Sequence, residues 1–72
     1  MVSKRDLGIY GFENMSDYYE YVVKSEINGQ RGQVNDLISA MSAEQKKGCL
    51  AYLEDLVGHD FNIVRGLVIK SL

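Results

Sequence analysis

At 72 residues the chain is long enough for one domain around one small hydrophobic core, a size at which self-association or a staple commonly supplies missing stability. A single cysteine excludes an intrachain disulfide, and no apolar run approaches the roughly 18 residues that span a bilayer. Ten acidic against eight basic residues, a formal net charge of −2, offer no basic field for a phosphate backbone and too little acid for a mimic of one.

The opening Met1-Val2-Ser3-Lys4-Arg5-Asp6 lacks the apolar stretch of a secretion signal, and a lone thiol suits a reducing compartment, so a cytoplasmic location is expected. Residues 1–15 hold Leu7, Ile9, Tyr10 and Phe12 interrupted by Gly8 and Gly11, a pattern too short and glycine-rich to specify an element. They are expected to form a partly ordered arm that either docks or frays, leaving residues 16–72 as a single helical domain.

The first helix has start signals at Asn14, Ser16 and Asp17, and Asp17 with Glu20 has capping-box spacing. From there Val23, Ile27, Gln30, Val34, Leu37 and Met41 recur in alternating steps of four and three, which places them on one helical face. Asn28-Gly29-Gln30-Arg31-Gly32 has the composition of a turn, yet the stripe keeps its phase across it, so the pattern predicts one helix from about Asp17 to Met41. Such a helix would measure roughly 37 Å at about 1.5 Å per residue. A globule of this length has a radius of gyration of about 11 Å and a diameter of about 30 Å. The overhanging stripe is therefore expected to be covered by a second copy of the chain, in a dimeric helical bundle.

Ser42-Ala43-Glu44-Gln45 is a capping box that opens the next helix, predicted to run to about Val57 with Gly58 ending it. Cys49, Leu50, Leu53, Leu56 and Val57 form its apolar face, and Lys47, Gly48, Ala51, Glu54 and Asp55 lie opposite. From Asp60 to Leu72, Phe61, Val64, Leu67, Val68 and Leu72 suit a helix capped by Asp60, although Ile63-Val64 and Val68-Ile69 carry the β-branching of a strand. The expected fold is all-α, a small domain of about three helices with a long first helix.

No catalytic constellation emerges, and an enzyme is not expected. The only histidine, His59, stands beside Asp60 as helix-start chemistry, and Cys49 shares a face with Leu53 and Leu56 as a buried hydrophobe. One histidine and one cysteine cannot hold a metal by themselves, the carboxylates lack calcium-loop spacing, and Gly29 and Gly32 follow no strand and precede no Gly-Lys-Ser/Thr sequence. Neither metal nor cofactor is expected. Residues 43–72 have the outline of a helix-turn-helix, but the last segment offers only Asn62, Arg65, Lys70 and Ser71 among large apolar residues, so it asks to be buried and nucleic acid is not the expected partner. Two cations in the same segment give a membrane surface little to attract.

Five of the seven aromatics, Tyr10, Phe12, Tyr18, Tyr19 and Tyr21, fall before residue 22. On a continuous helix Tyr19 joins the stripe, while Tyr18 and Tyr21 point together away from it, above Val22, Ser25, Gly29, Gly32 and Ala40. Tyrosines beside small residues make a surface that another protein can grip. The expected partner site is Tyr18, Tyr21 and Val22 over a floor of Gly29 and Gly32, helped by Ile9, Tyr10 and Phe12 of the arm; the competing reading has the arm or the last helix of the same chain covering this face. The function expected is that of a non-enzymatic regulator or adaptor, of the inhibitor, antirepressor or assembly-factor type. A DNA-binding regulator using residues 43–72 and a structural subunit of a larger helical assembly are the alternatives.

Overall fold

Caps and glycines divide the chain into five helices, seen in a computed structural model that describes residues 1–56 and 61–72: α1 (Lys4–Ile9), α2 (Met15–Ile27), α3 (Arg31–Ala40), α4 (Ala43–Asp55) and α5 (Asn62–Ser71). No strand occurs among the described residues, so the last segment is helical, as favoured. The expected Gly58 stop, His59 and the expected Asp60 cap lie outside the described residues.

The single long helix is overturned. Asn28 caps α2, and Gly29 follows at φ +75°, a left-handed conformation that glycine adopts without steric penalty. The Gln30 amide donates to the Ser25 carbonyl at 2.9 Å and the Gly29 amide to the Glu26 carbonyl at 3.0 Å. Those two bonds are the Schellman motif, which ties off the open carbonyls at the end of a helix. Arg31 reaches back over the turn to the Glu26 carboxylate at 3.1 Å. The stripe kept its phase for a different reason from the one assumed. Two helices that bury one face each in a common core are brought into register by that core.

Most of the stripe expected at the dimer interface is taken up within the chain itself. Val23, Val34, Leu37 and Met41 lie in the chain's own core, while Ile27 and Gln30, the two positions flanking the break, are exposed. With the helix broken nothing overhangs: the radius of gyration is 11.2 Å and the longest extent 30 Å.

The closest helix pairs are α2 with α3, α3 with α5, α5 with α4 and α4 with α2, a ring in which each helix has two neighbours. Val22, Val34, Val64, Val68 and Cys49 fill its centre, fully buried. Small β-branched side chains dominate because four helices meeting at one point leave little room there. The α4 cap forms as read from the sequence, with the Gln45 amide donating to Ser42 Oγ at 3.2 Å and the Ser42 amide to Gln45 Oε1 at 2.9 Å. Gly48, expected on the outer face of α4, turns inward, so close to Tyr19 that an added Cβ would stand 2.6 Å from its hydroxyl. The start of α2 also shifts from expectation. Asn14 is the cap, accepting from the Asp17 amide at 3.2 Å, and Asp17 accepts from the Glu13 amide at 2.9 Å instead of opening a box with Glu20.

Candidate protein-binding surface

The N-terminal arm contains a helix because its first residues carry their own capping box. Ser3 Oγ accepts from the Asp6 amide at 3.2 Å, and Asp6 Oδ2 accepts from the Ser3 amide at 3.0 Å. The Ser3 amide, and after it the Ser3 hydroxyl donating to the same Oδ2 at 3.0 Å, hold the Asp6 carboxyl below the usual carboxylate range. The helix ends in the same motif as α2: Gly11 stands at φ +77°, with the Phe12 amide on the Leu7 carbonyl at 2.8 Å and the Gly11 amide on the Gly8 carbonyl at 3.0 Å. Ser3 with Asp6, and Gly11 after an apolar run, were the legible signals of this helix; at six residues its hydrophobic periodicity was too short to show.

Val2 and Leu7 turn into the core, and Tyr10 and Phe12 lie over α2. Tyr10 stacks on Phe12 with centroids 5.5 Å apart, Phe12 meets Tyr18 edge-on at 6.3 Å, and Tyr21 closes the cluster 5.5 Å from Phe12. Offset and edge-on pairs at such spacings add about 0.5–1.5 kcal/mol each beyond the area they bury. The arm of the same chain thus covers the tyrosine face.

This covering revises the expected partner site. Tyr18 is only 1% exposed and donates its hydroxyl to the Leu37 carbonyl at 2.8 Å, in the last turn of α3 where helical donors run out. Burial above all, followed by the proximity of Tyr10, Asp6 and Cys49, pushes that hydroxyl up to about 12. Val22 is wholly buried. Ser25, expected to line a shallow groove, is enclosed: its hydroxyl donates to the Tyr21 carbonyl at 2.8 Å and accepts from Gln33 Nε2 at 3.1 Å, while the same amide donates to the Tyr21 hydroxyl. Gly29, in the α2–α3 turn, and Gly32, in the first turn of α3, are exposed and form no floor, since the helix that would have aligned them with Tyr18 is broken.

Three of the singled-out residues do remain at the surface as one group. Ile9 and Tyr10 are 75% and 52% exposed, with Phe12 partly covered beneath Tyr10. Tyr10 divides two hollows between α1 and α3. One, of about 290 Å³, is walled by Met1, Val2, Asp6, Ile9, Tyr18 and Ala40; the other, of about 300 Å³, by Tyr18, Tyr21, Gln33, Asp36, Leu37 and Ala40. The first is the more apolar, and the second carries an amide and a carboxylate. Sequence reasoning placed Ala40 on the tyrosine face but missed Met1 and Asp36, because only the folded arm brings them beside Tyr10.

Burial pushes the Cys49 thiol up to about 11, which leaves it protonated near neutrality and an apolar filler of the core. Among the described residues no three His, Cys, Asp or Glu side chains gather as a metal site, and no helix is long and apolar enough to cross a membrane. No family model matches this chain, and neither a curated protein nor a solved structure shows significant similarity to it.

Proposed function

We propose that this chain is a small non-enzymatic regulator or adaptor that works by binding another protein, through the outer face of α1 and the hollows between α1 and α3. The observation that carries this reading is the exposed trio of Met1, Ile9 and Tyr10, 83%, 75% and 52% accessible, set beside concave walls. A six-residue helix buries Leu7 and turns its other large apolar side chain, Ile9, outward, next to the half-exposed Tyr10 and an acidic rim at Asp36. Aromatic and aliphatic anchors at the centre of a patch with polar groups at its margin are the usual anatomy of a protein-binding site. The partner contacts this patch and not the Val34–Leu37 stripe, whose side chains already fill this chain's own core.

The test is affinity capture from host lysate with the wild type and with an Ile9→Lys/Ala40→Arg variant, both positions being exposed and so replaceable without unfolding the ring. One protein retained at near-stoichiometric yield by the wild type and lost from the variant, at unchanged helicity, supports the reading. Equal retention by both, or salt-sensitive retention of nucleic acid alone, refutes it.

A further inference from the structure

We infer that residues 1–10 form a strap that opens as one unit from the four-helix ring, with Gly11 as its pivot and Gln45 as its latch. The opening is a property of the fold and holds whether or not the patch on α1 binds a partner; that opening also dismantles a binding patch, whose Met1, Ile9 and Tyr10 the strap itself carries, rests on the reading above.

Three observations carry it. The strap is held by a few side chains, Val2 and Leu7 in the core and Tyr10 against Tyr18, while α1 takes no part in the close helix pairs that form the ring. Isolated helices shorter than about 12–15 residues are marginal in water, so the six residues of α1 cannot leave the ring and stay helical, and release and melting are a single event. Such all-or-none behaviour is what separates a switchable element from a merely loose one.

The backbone tie is concentrated in one side chain. Gln45 Oε1 accepts from the Val2 amide at 3.0 Å, and Gln45 Nε2 donates to the Val2 carbonyl at 2.6 Å, pairing both polar groups of one residue as a neighbouring strand would. The same Oε1 accepts from the Ser42 amide to close the α4 cap. The latch is thus held in place by the ring whether or not the strap is present. On the other side the strap's exit is short. Gly11, at φ +77°, leads through Phe12 and Glu13 directly to the Asn14 cap of α2, so rotation at Gly11 swings the arm clear without disturbing that helix. Opening would draw Tyr10 off the Tyr18 ring and bare the edge that it covers.

Native-state hydrogen exchange on the full chain tests this directly. The strap is reported by the Leu7 and Phe12 amides, bonded to the Ser3 and Leu7 carbonyls, and the ring by Val22 and Val34. In the wild type Leu7 and Phe12 should exchange together, at least about 100-fold faster than Val22 and Val34 yet well below the unprotected rate. Gln45→Glu then isolates the latch. A glutamate keeps the acceptor that caps α4, where glutamate is favoured, and loses the donor to Val2 together with the weak one to Met15 Sδ at 3.7 Å. It should speed Leu7 and Phe12 about tenfold and leave Lys46, in the first turn of α4, and Val34 unchanged. Strap and ring exchanging at one common rate in the wild type would overturn the inference, as would unprotected exchange at Leu7 and Phe12, because no closed state would then exist. Equal acceleration of strap and ring in Gln45→Glu would overturn the latch. The wild-type comparison stands on its own should the variant fold poorly.

Discussion

Replacing Gly29 and Gly32 one at a time by alanine separates a broken helix from a continuous one. Gly29 holds φ +75° with no heavy atom within 4 Å of an added Cβ, so the whole effect is conformational. Alanine in the left-handed region costs about 1–2 kcal/mol, and its smaller unfolded-state entropy offsets about 0.4–1 kcal/mol of that, for a net loss of about 1 kcal/mol. Gly32 lies inside α3 with equally open surroundings, and there alanine should gain up to about 1 kcal/mol of helix propensity. The two variants should therefore differ by about 2 kcal/mol with opposite signs, which for a domain of this size is a separation in Tm of about 8–16 °C. Thermal and urea melts followed by far-UV circular dichroism would show it, with an unchanged urea slope confirming that stability and not the denatured state has moved. Two variants that stabilise equally would refute the break, because that is how both glycines behave in one uninterrupted helix.

Gly48→Ala should destabilise the domain by about 1–2 kcal/mol despite its gain in helix propensity, because the new methyl group meets the Tyr19 hydroxyl that donates to the Gln45 carbonyl at 2.8 Å. In a Tyr19→Phe background the same substitution should become neutral or stabilising, a coupling that a double-mutant cycle of urea midpoints reads out. Tyr18→Phe leaves the Leu37 carbonyl at the end of α3 without its donor and should lower stability by about 1–3 kcal/mol in the same assay. Alkaline stability follows from the raised groups. Cys49, moved from 9.0 to about 11, and Tyr18, moved from 10.0 to about 12, both hold their protons more tightly when folded. Their stabilising effect is complete below pH 9 and is lost as pH climbs from there toward about 12, at up to about 1.4 kcal/mol per pH unit for each group. Urea midpoints should fall in that window, and Cys49→Ala should remove the part that begins at pH 9. On the acid side, the lowered carboxyl of Asp6 supports the α1 cap above its ordinary pKa of 3.8, so Leu7 amide exchange referred to the intrinsic rate should stay flat with pH until that value and rise below it.

What the amino-acid order determined by itself was whatever is settled within one turn of chain. The capping box of Ser42 and Gln45, the all-helical character and the apolar face of Cys49 and Leu53 were legible because each depends on groups no more than four residues apart. The turn at Asn28-Gly29 was legible in the same way. A left-handed glycine and its two Schellman bonds are local chemistry, and the composition there was a better guide than the phase of the stripe. Phase misled because it reports which way side chains face, and a shared core imposes one direction on α2 and α3 although the chain between them is broken.

The tertiary structure alone decided what is surface. Tyr18 and Tyr21 share a helical face that would be open on an isolated α2, and Tyr18 is enclosed because Tyr10 and Phe12 are laid over it by a separate helix. Gln45 reads as a cap, and its second task, holding Val2 from 43 residues away, exists only once the ring has formed. The Met1, Ile9 and Ala40 surroundings of the hollow are likewise a product of docking, drawn from opposite ends of the first 40 residues. Local bonds follow from neighbours in the chain, whereas exposure is a property of everything packed against a side chain, and no reading of spacing supplies the partner that arrives from elsewhere in the sequence.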